Sequence, residues 1–126
     1  MLSPSVHMLL ERAIDTPLKL HCVMLFAQRT LTRGTVSQVA SRLYRDAWST
    51  RQTLDELMEA GILQAIPSDG EPMYEYRPRL YYNDVLGLLL ATYNDPVQRG
   101  ELHTAITELA RYAPYRADFS RMIAIN

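Results

Sequence analysis

The sequence predicts a mostly α-helical fold of the α+β class, a helix-turn-helix closed by a β-hairpin, with one extra helix before it and two after. Three observations predict it. Apolar residues recur every three or four positions through most of the 126-residue chain, the spacing of amphipathic helices. Only residues 62–78 change to strand-forming residues, grouped around the turn signal Ser68-Asp69-Gly70. Between these, start and stop signals for short helices fall at Thr16-Pro17, Thr35, Asp46 and Gly61.

The elements follow in order. "SPSVHMLLERAID" opens with Ser3 or Ser5 as a cap, and Val6, Leu9, Leu10, Ala13 and Ile14 share one helical face. "TPLKLHCVMLFAQRT" restarts the helix. Thr16 caps it, and Pro17 takes the first helical position, where its missing N–H costs nothing. Leu18, Cys22, Leu25 and Phe26 form one stripe with Leu20, Val23, Met24 and Ala27 beside it, so this helix is expected to be central and mostly buried. Gly34 interrupts. Thr35 then caps a helix whose inner face is Val36, Val39, Ala40 and Leu43. Residues 44–46 make the turn, and the Asp46 carboxylate suits the free N–H groups of the next helix. In that helix Thr50, Leu54, Leu57 and Met58 face inward, and Gly61 supplies a left-handed stop.

Two strands, "ILQAIP" and "PMYEYRP", flank the turn at Ser68-Asp69-Gly70. Helix, helix, helix, strand, strand is the order of a winged helix-turn-helix. After Pro78, Asn83 or Asp84 caps "VLGLLLATY". Asp95 and Pro96 start a last helix, with Val97, Leu102, Ile106, Leu109 and the alanines 105 and 113 on its apolar side. Pro114 is expected to end that helix. For the tail 114–126 a short helix and a strap across a partner both fit. The chain is therefore read as one domain, 1–126, with a winged-helix core at 17–79 and C-terminal helices at 83–113.

Composition narrows the function. The net charge is −1, whereas strong nonspecific nucleic-acid binding usually leaves a basic surplus. Any positive face must come from placement rather than excess. Residues 35–63 hold three bases (Arg42, Arg45, Arg51) and four acids (Asp46, Asp55, Glu56, Glu59). All the bases except Lys19 are arginine, a residue suited to bidentate recognition, although codon usage in a GC-rich genome explains the bias as well. No apolar run approaches the ~20 residues of a membrane span, and the N-terminus shows no secretory pattern. With the single cysteine, Cys22, this fits a reducing cytoplasm.

Catalytic patterns are missing from the sequence. His7, His21 and His103 are far apart and, with one cysteine, make no zinc-ligand spacing. The glycines form no phosphate loop, and no serine lies in a nucleophile elbow. Adjacent acids such as Asp55 and Glu56 point to different sides of a helix. The sequence is read as that of a non-enzyme with no cofactor and no metal.

Residues 17 to about 79 resemble the winged-helix transcriptional regulators of bacteria. "TVSQVASRL" matches their support helix, "STRQTLDELMEAGIL" the recognition helix and its run-out, and "IPSDGEPMYEYRP" the wing. "TPLKLHCVMLFAQ" is similar to the first helix of small members. The resemblance covers about half the chain. It implies a regulator that binds double-stranded DNA with the exposed start of the second helix. There Trp48, Ser49, Arg51 and Gln52 are the candidates for base reading: Arg51 for a guanine, Gln52 for an adenine, Ser49 for a base or a phosphate. Arg42 and Arg45, with Arg29 or Arg33, are the phosphate candidates. The tip of the wing, residues 68–71, departs from the basic tip common in such proteins. Asp69 and Glu71 would be repelled by phosphates.

Two further expectations concern partners. Residues 85–90 are apolar nearly all round, so Leu86, Leu89, Leu90 and Tyr93 are candidates for a homodimer contact, against the alternative that they cover their own chain. A different class of function also fits the near-neutral charge, the acidic wing tip and Trp48. In it the winged helix docks a protein and binds no DNA.

Overall fold

A computed structural model describes residues 2–125 of the chain, and side chains over residues 2–112. The described residues form helices α1 (Pro4–Arg12), α2 (Pro17–Ala27), α3 (Val36–Leu43), α4 (Ala47–Ala60), α5 (Asn83–Asn94) and α6 (Pro96–Ile125). Strands β1 (Arg33–Thr35), β2 (Leu63–Ile66) and β3 (Met73–Tyr76) complete it, with a 3₁₀ turn at Leu80–Tyr82 before α5. The fold is mostly helical with one small antiparallel sheet.

The helices begin where polar caps can satisfy free backbone donors. Ser3 Oγ accepts from the Val6 N–H at 3.2 Å and Thr16 Oγ1 from the Lys19 N–H at 3.1 Å. Thr35 and Gln38 form a reciprocal box: Thr35 Oγ1 takes the Gln38 N–H, and Gln38 Oε1 takes the Thr35 N–H at 2.9 Å. Asp46 Oδ2 accepts from the Ser49 N–H at 2.7 Å. Asp95 Oδ1 does the same for Val97 at 2.9 Å. Gly61 ends α4 at φ 90°, where a side chain would be strained and would run into Arg79.

The sheet has the order β1-β3-β2, with β3 in the middle and antiparallel to both neighbours. Arg33 pairs with Glu75, Leu63 with Tyr76 and Ile66 with Met73. β1 is absent from the sequence reading. Three residues are too few to show an alternating pattern, and the strand exists only because β3, far along the chain, pairs with it.

One buried cluster links the elements. Val6, Leu10 and Ile14 from the α1 region, Leu20, Val23 and Phe26 from α2, Leu54 and Leu57 from α4, and Leu102 and Ile106 from α6 are all inaccessible or nearly so. α2 is buried over most of its surface and carries no marked polar face. It therefore serves as the post around which α4 and α6 pack.

The structure differs from the sequence reading at three further places. Leu86 and Leu89 are buried in this chain's own core, and Leu90 and Tyr93 pack partly buried against it. The apolar excess of α5 is thus absorbed by α1, α2 and α6. Val97 is 73% exposed rather than inward-facing, and the buried side of α6 begins at Leu102. Finally, α6 continues through Pro114 to Ile125. A proline removes one N–H and crowds the carbonyl four residues back, which weakens a helix without forbidding it. The side chains of the tail lie outside the described residues. No described helix is long and apolar enough to cross a membrane.

Candidate nucleic-acid interface

α3, the turn at residues 44–46 and α4 form the surface on which the sequence places its binding residues. Thr50, Thr53, Leu54 and Leu57 hold α4 against the core. Trp48, Arg51, Gln52 and Glu59 are consequently exposed, and Ser49 and Asp55 partly so. Trp48 is 76% exposed, so it does not fold back onto α3. Tyr44, which ends α3 in the left-handed region at φ 54°, is 94% exposed.

Several acids that make this region look anionic in sequence are engaged by the chain itself. Glu56 Oε2 lies 2.9 Å from Lys19 Nζ on α2, which also holds Asp15 Oδ1 at 2.8 Å. Burial alone would lower the Lys19 pKa, but hydrogen bonds and charge from Asp15 and Glu56 outweigh it and hold the ammonium above its ordinary value. Asp55 accepts a hydrogen bond from the Tyr74 hydroxyl on β3, and Oδ2 lies 3.9 Å from Arg51 Nε one turn earlier. Burial, then the Asp55 bond, push the Tyr74 phenol up to about 12. Asp46 is held below the usual carboxylate range by its bonds to Ser49.

The β2–β3 hairpin is tied back in the same way. Glu71 Oε1 accepts from the Ser37 N–H at 2.9 Å and from Ser37 Oγ at 2.6 Å. The carboxylate expected to project at the tip is instead spent on the open N-terminus of α3. Of the two acids in residues 68–71, only Asp69 makes no such contact among the described residues. Glu75, at the base of the hairpin, sits between Arg33 Nε at 3.8 Å and Arg77 Nε at 3.6 Å.

The expected binding residues divide into groups. Arg45, Ser49 and Gln52 line a hollow between α2 and α4 of about 510 Å³. Trp48, Arg51 and Gln52 line the adjoining hollow with Asp55 and Glu59, and Gln52 and Glu56 are common to both. Arg42 lies apart, beside Ser37, Gln38 and Ser41 on α3. Arg42 and Arg45 are exposed and make no ion pair among the described residues. Arg29 belongs to neither group: it lies by Phe26, Thr32 and Tyr76 at the other end of β1. Arg33 is beside Glu75.

Sequence reasoning missed Tyr74, Lys19 and Ser37 as residues that position this surface. Each acts across a long separation in sequence. Behind the surface, Cys22 is buried and its thiol is pushed up to about 12 by desolvation, which outweighs the nearby Arg45. That is the state of a packing residue rather than of a nucleophile.

No protein-family model matches the chain, and no curated protein matches it.

Proposed function

We propose that the chain is a winged helix-turn-helix regulator that binds double-stranded DNA through the start of α4 and acts as a homodimer, without catalysis. α2, α3 and α4 correspond to the three helices of that fold, and β2 and β3 to its wing; the sheet order β1-β3-β2 is consistent with it. One observation carries the functional reading. Glu56, Asp55 and Glu71 are each held by another part of the chain, while Arg42 and Arg45 stay exposed at the helix-turn-helix without an ion pair among the described residues. Of the three acids Glu56 alone is held by a cation from another element, and Arg42 stands apart from Arg45, so the reading rests on these two exposed arginines rather than on one joined positive face. In this reading Arg42 and Arg45 contact phosphates. Ser49, Arg51 and Gln52 meet base edges, Arg51 giving up its long contact with Asp55 to do so.

The test is fluorescence anisotropy with mixed-sequence duplex DNA across a salt series. Log affinity should fall linearly with log salt, with a slope worth several phosphates at about 0.9 per contact. Arg42→Ala and Arg45→Ala should each reduce that slope by about one, and Arg51→Ala should cost about 1–3 kcal/mol at a selected site. Absence of binding at low salt would overturn the reading.

A second reading, a protein-docking surface, is carried by Tyr44 and Trp48. These two large aromatic side chains are 94% and 76% exposed, and Asp55, Glu56 and Glu59 share the Trp48 hollow. Exposed aromatics are common anchors at protein interfaces. No DNA binding, together with a partner lost on Trp48→Ala, would select it.

A further inference from the structure

One helix threonine behaves unlike the others. Thr50, Thr92, Thr104 and Thr107 each turn the side-chain hydroxyl onto the carbonyl four residues back, at 2.8, 2.9, 3.0 and 2.8 Å. That is the usual bond of a threonine inside a helix. Thr53, in the middle of α4, does not make it. The residue is only 8% exposed, yet its hydroxyl makes no hydrogen bond among the described residues. A polar group so far from water and left unbonded costs free energy. Thr53 lines the hollow of about 510 Å³ between α2 and α4.

Two more polar side chains line the same hollow without a hydrogen bond or ion pair among the described residues, Arg45 and Gln52. Their chemistry says what they take. Arg45 offers a planar fork that matches one carboxylate. Thr53 and Gln52 offer neutral donors and acceptors. Leu18 and Ala110 add a short apolar wall. The rest of the charged lining is Lys19 with Asp15 and Glu56, two acids on one ammonium at 2.8 and 2.9 Å. That end is net negative and opposes a phosphate dianion or any ligand with several negative charges.

We propose that the hollow between α2 and α4 binds a small organic acid with a single carboxylate and a hydroxyl or amide group. The carboxylate sits on Arg45, and the neutral group bonds Thr53 and Gln52. Arg45 and Gln52 are also duplex contacts in the reading above, so the acid and DNA exclude each other; this last step alone rests on that reading.

Amide-resolved NMR titration of the nitrogen-labelled full chain, without DNA, tests it. The probes are lactate, N-acetylglycine, acetate, methyl lactate and inorganic phosphate. Lactate and N-acetylglycine should shift the amides of Arg45, Gln52 and Thr53 saturably, in the millimolar range. Acetate lacks the second group and should bind about fivefold more weakly, the equivalent of one neutral hydrogen bond. Methyl lactate carries no charge and should not bind. Thr53→Val keeps the shape and loses the hydroxyl, so it should weaken lactate about fivefold and leave acetate unchanged. Thr53→Ser should bind lactate as the native chain does. Arg45→Gln should abolish binding of both acids. No saturable shift with lactate or N-acetylglycine at tens of millimolar would overturn the proposal. So would phosphate binding more tightly than lactate, or lactate binding indifferent to Thr53→Val and Arg45→Gln. The assay contains no DNA, so a chain that binds lactate but no duplex refutes only the DNA reading, and one that binds duplex but neither acid refutes only this site.

Discussion

The Tyr74 hydroxyl donates to the Asp55 carboxylate, joining the middle strand of the sheet to the middle of α4. Tyr74 is 2% exposed, so its ring belongs to the core while its tip fixes an acid on the candidate binding helix. Tyr74→Phe keeps the ring and removes the donor. It should destabilise the fold by about 1–2 kcal/mol, the value of a hydrogen bond to a charged group that can partly rehydrate. Urea unfolding would measure this, and an unchanged midpoint would show that the bond contributes nothing net.

Lys19 Nζ lies against both Asp15 and Glu56, at 2.8 and 2.9 Å. Lys19→Met retains the apolar stem and removes the charge, leaving the Asp15 carboxylate, just before α2, and the Glu56 carboxylate on α4 to repel each other. A loss of about 1–2 kcal/mol is expected. Adding Glu56→Gln should recover part of it, because the repulsion then disappears. A double variant no more stable than Lys19→Met would refute the arrangement.

His21 should make stability depend on pH. Its ring lies 6.1 Å from His103 on α6. Desolvation first, then the positive charges of His103 and Arg45, hold its pKa below the ordinary value of 6.5. The fold therefore prefers neutral His21, and the unfolded chain takes up the proton more readily. This contribution is complete above about pH 6.5 and is lost as the pH falls below it. Urea midpoints at pH 7 and pH 5 should show the decline, and His21→Gln should flatten it. Equal slopes in the two proteins would assign the acid sensitivity elsewhere.

Tyr44 offers a gain. It holds the left-handed region at φ 54° and is 94% exposed, so little packing is lost with its ring. Tyr44→Gly should stabilise the protein by up to about 1 kcal/mol. Gly61→Ala should do the reverse, costing about 1–2 kcal/mol, because φ is 90° there and Arg79 crosses the space. Thermal melts of the two variants should move in opposite directions.

What the sequence shows of this fold is mostly local. Thr16, Thr35, Asp46 and Gly61 act within a single turn, and each caps or stops the helix it was expected to. The inward faces of α1 and α2 follow from spacing alone. β1, the 3₁₀ turn and the binding-surface contacts of Lys19, Ser37 and Tyr74 depend on pairings that no periodicity records. The candidate surface was legible as a set of residue types. The engagement of its acids was not, since an acid in sequence does not reveal whether a lysine, a helix end or a phenol already holds it.

The ties from Glu71 to Ser37 and from Tyr74 to Asp55 bear on the thermodynamics of recognition. They fasten the hairpin to both helices before any ligand arrives. Binding at this surface would then order little additional backbone, and the entropy that a loose hairpin would lose on contact is lost during folding instead. The heat-capacity change of association should accordingly track the area covered, without the excess that accompanies coupled folding.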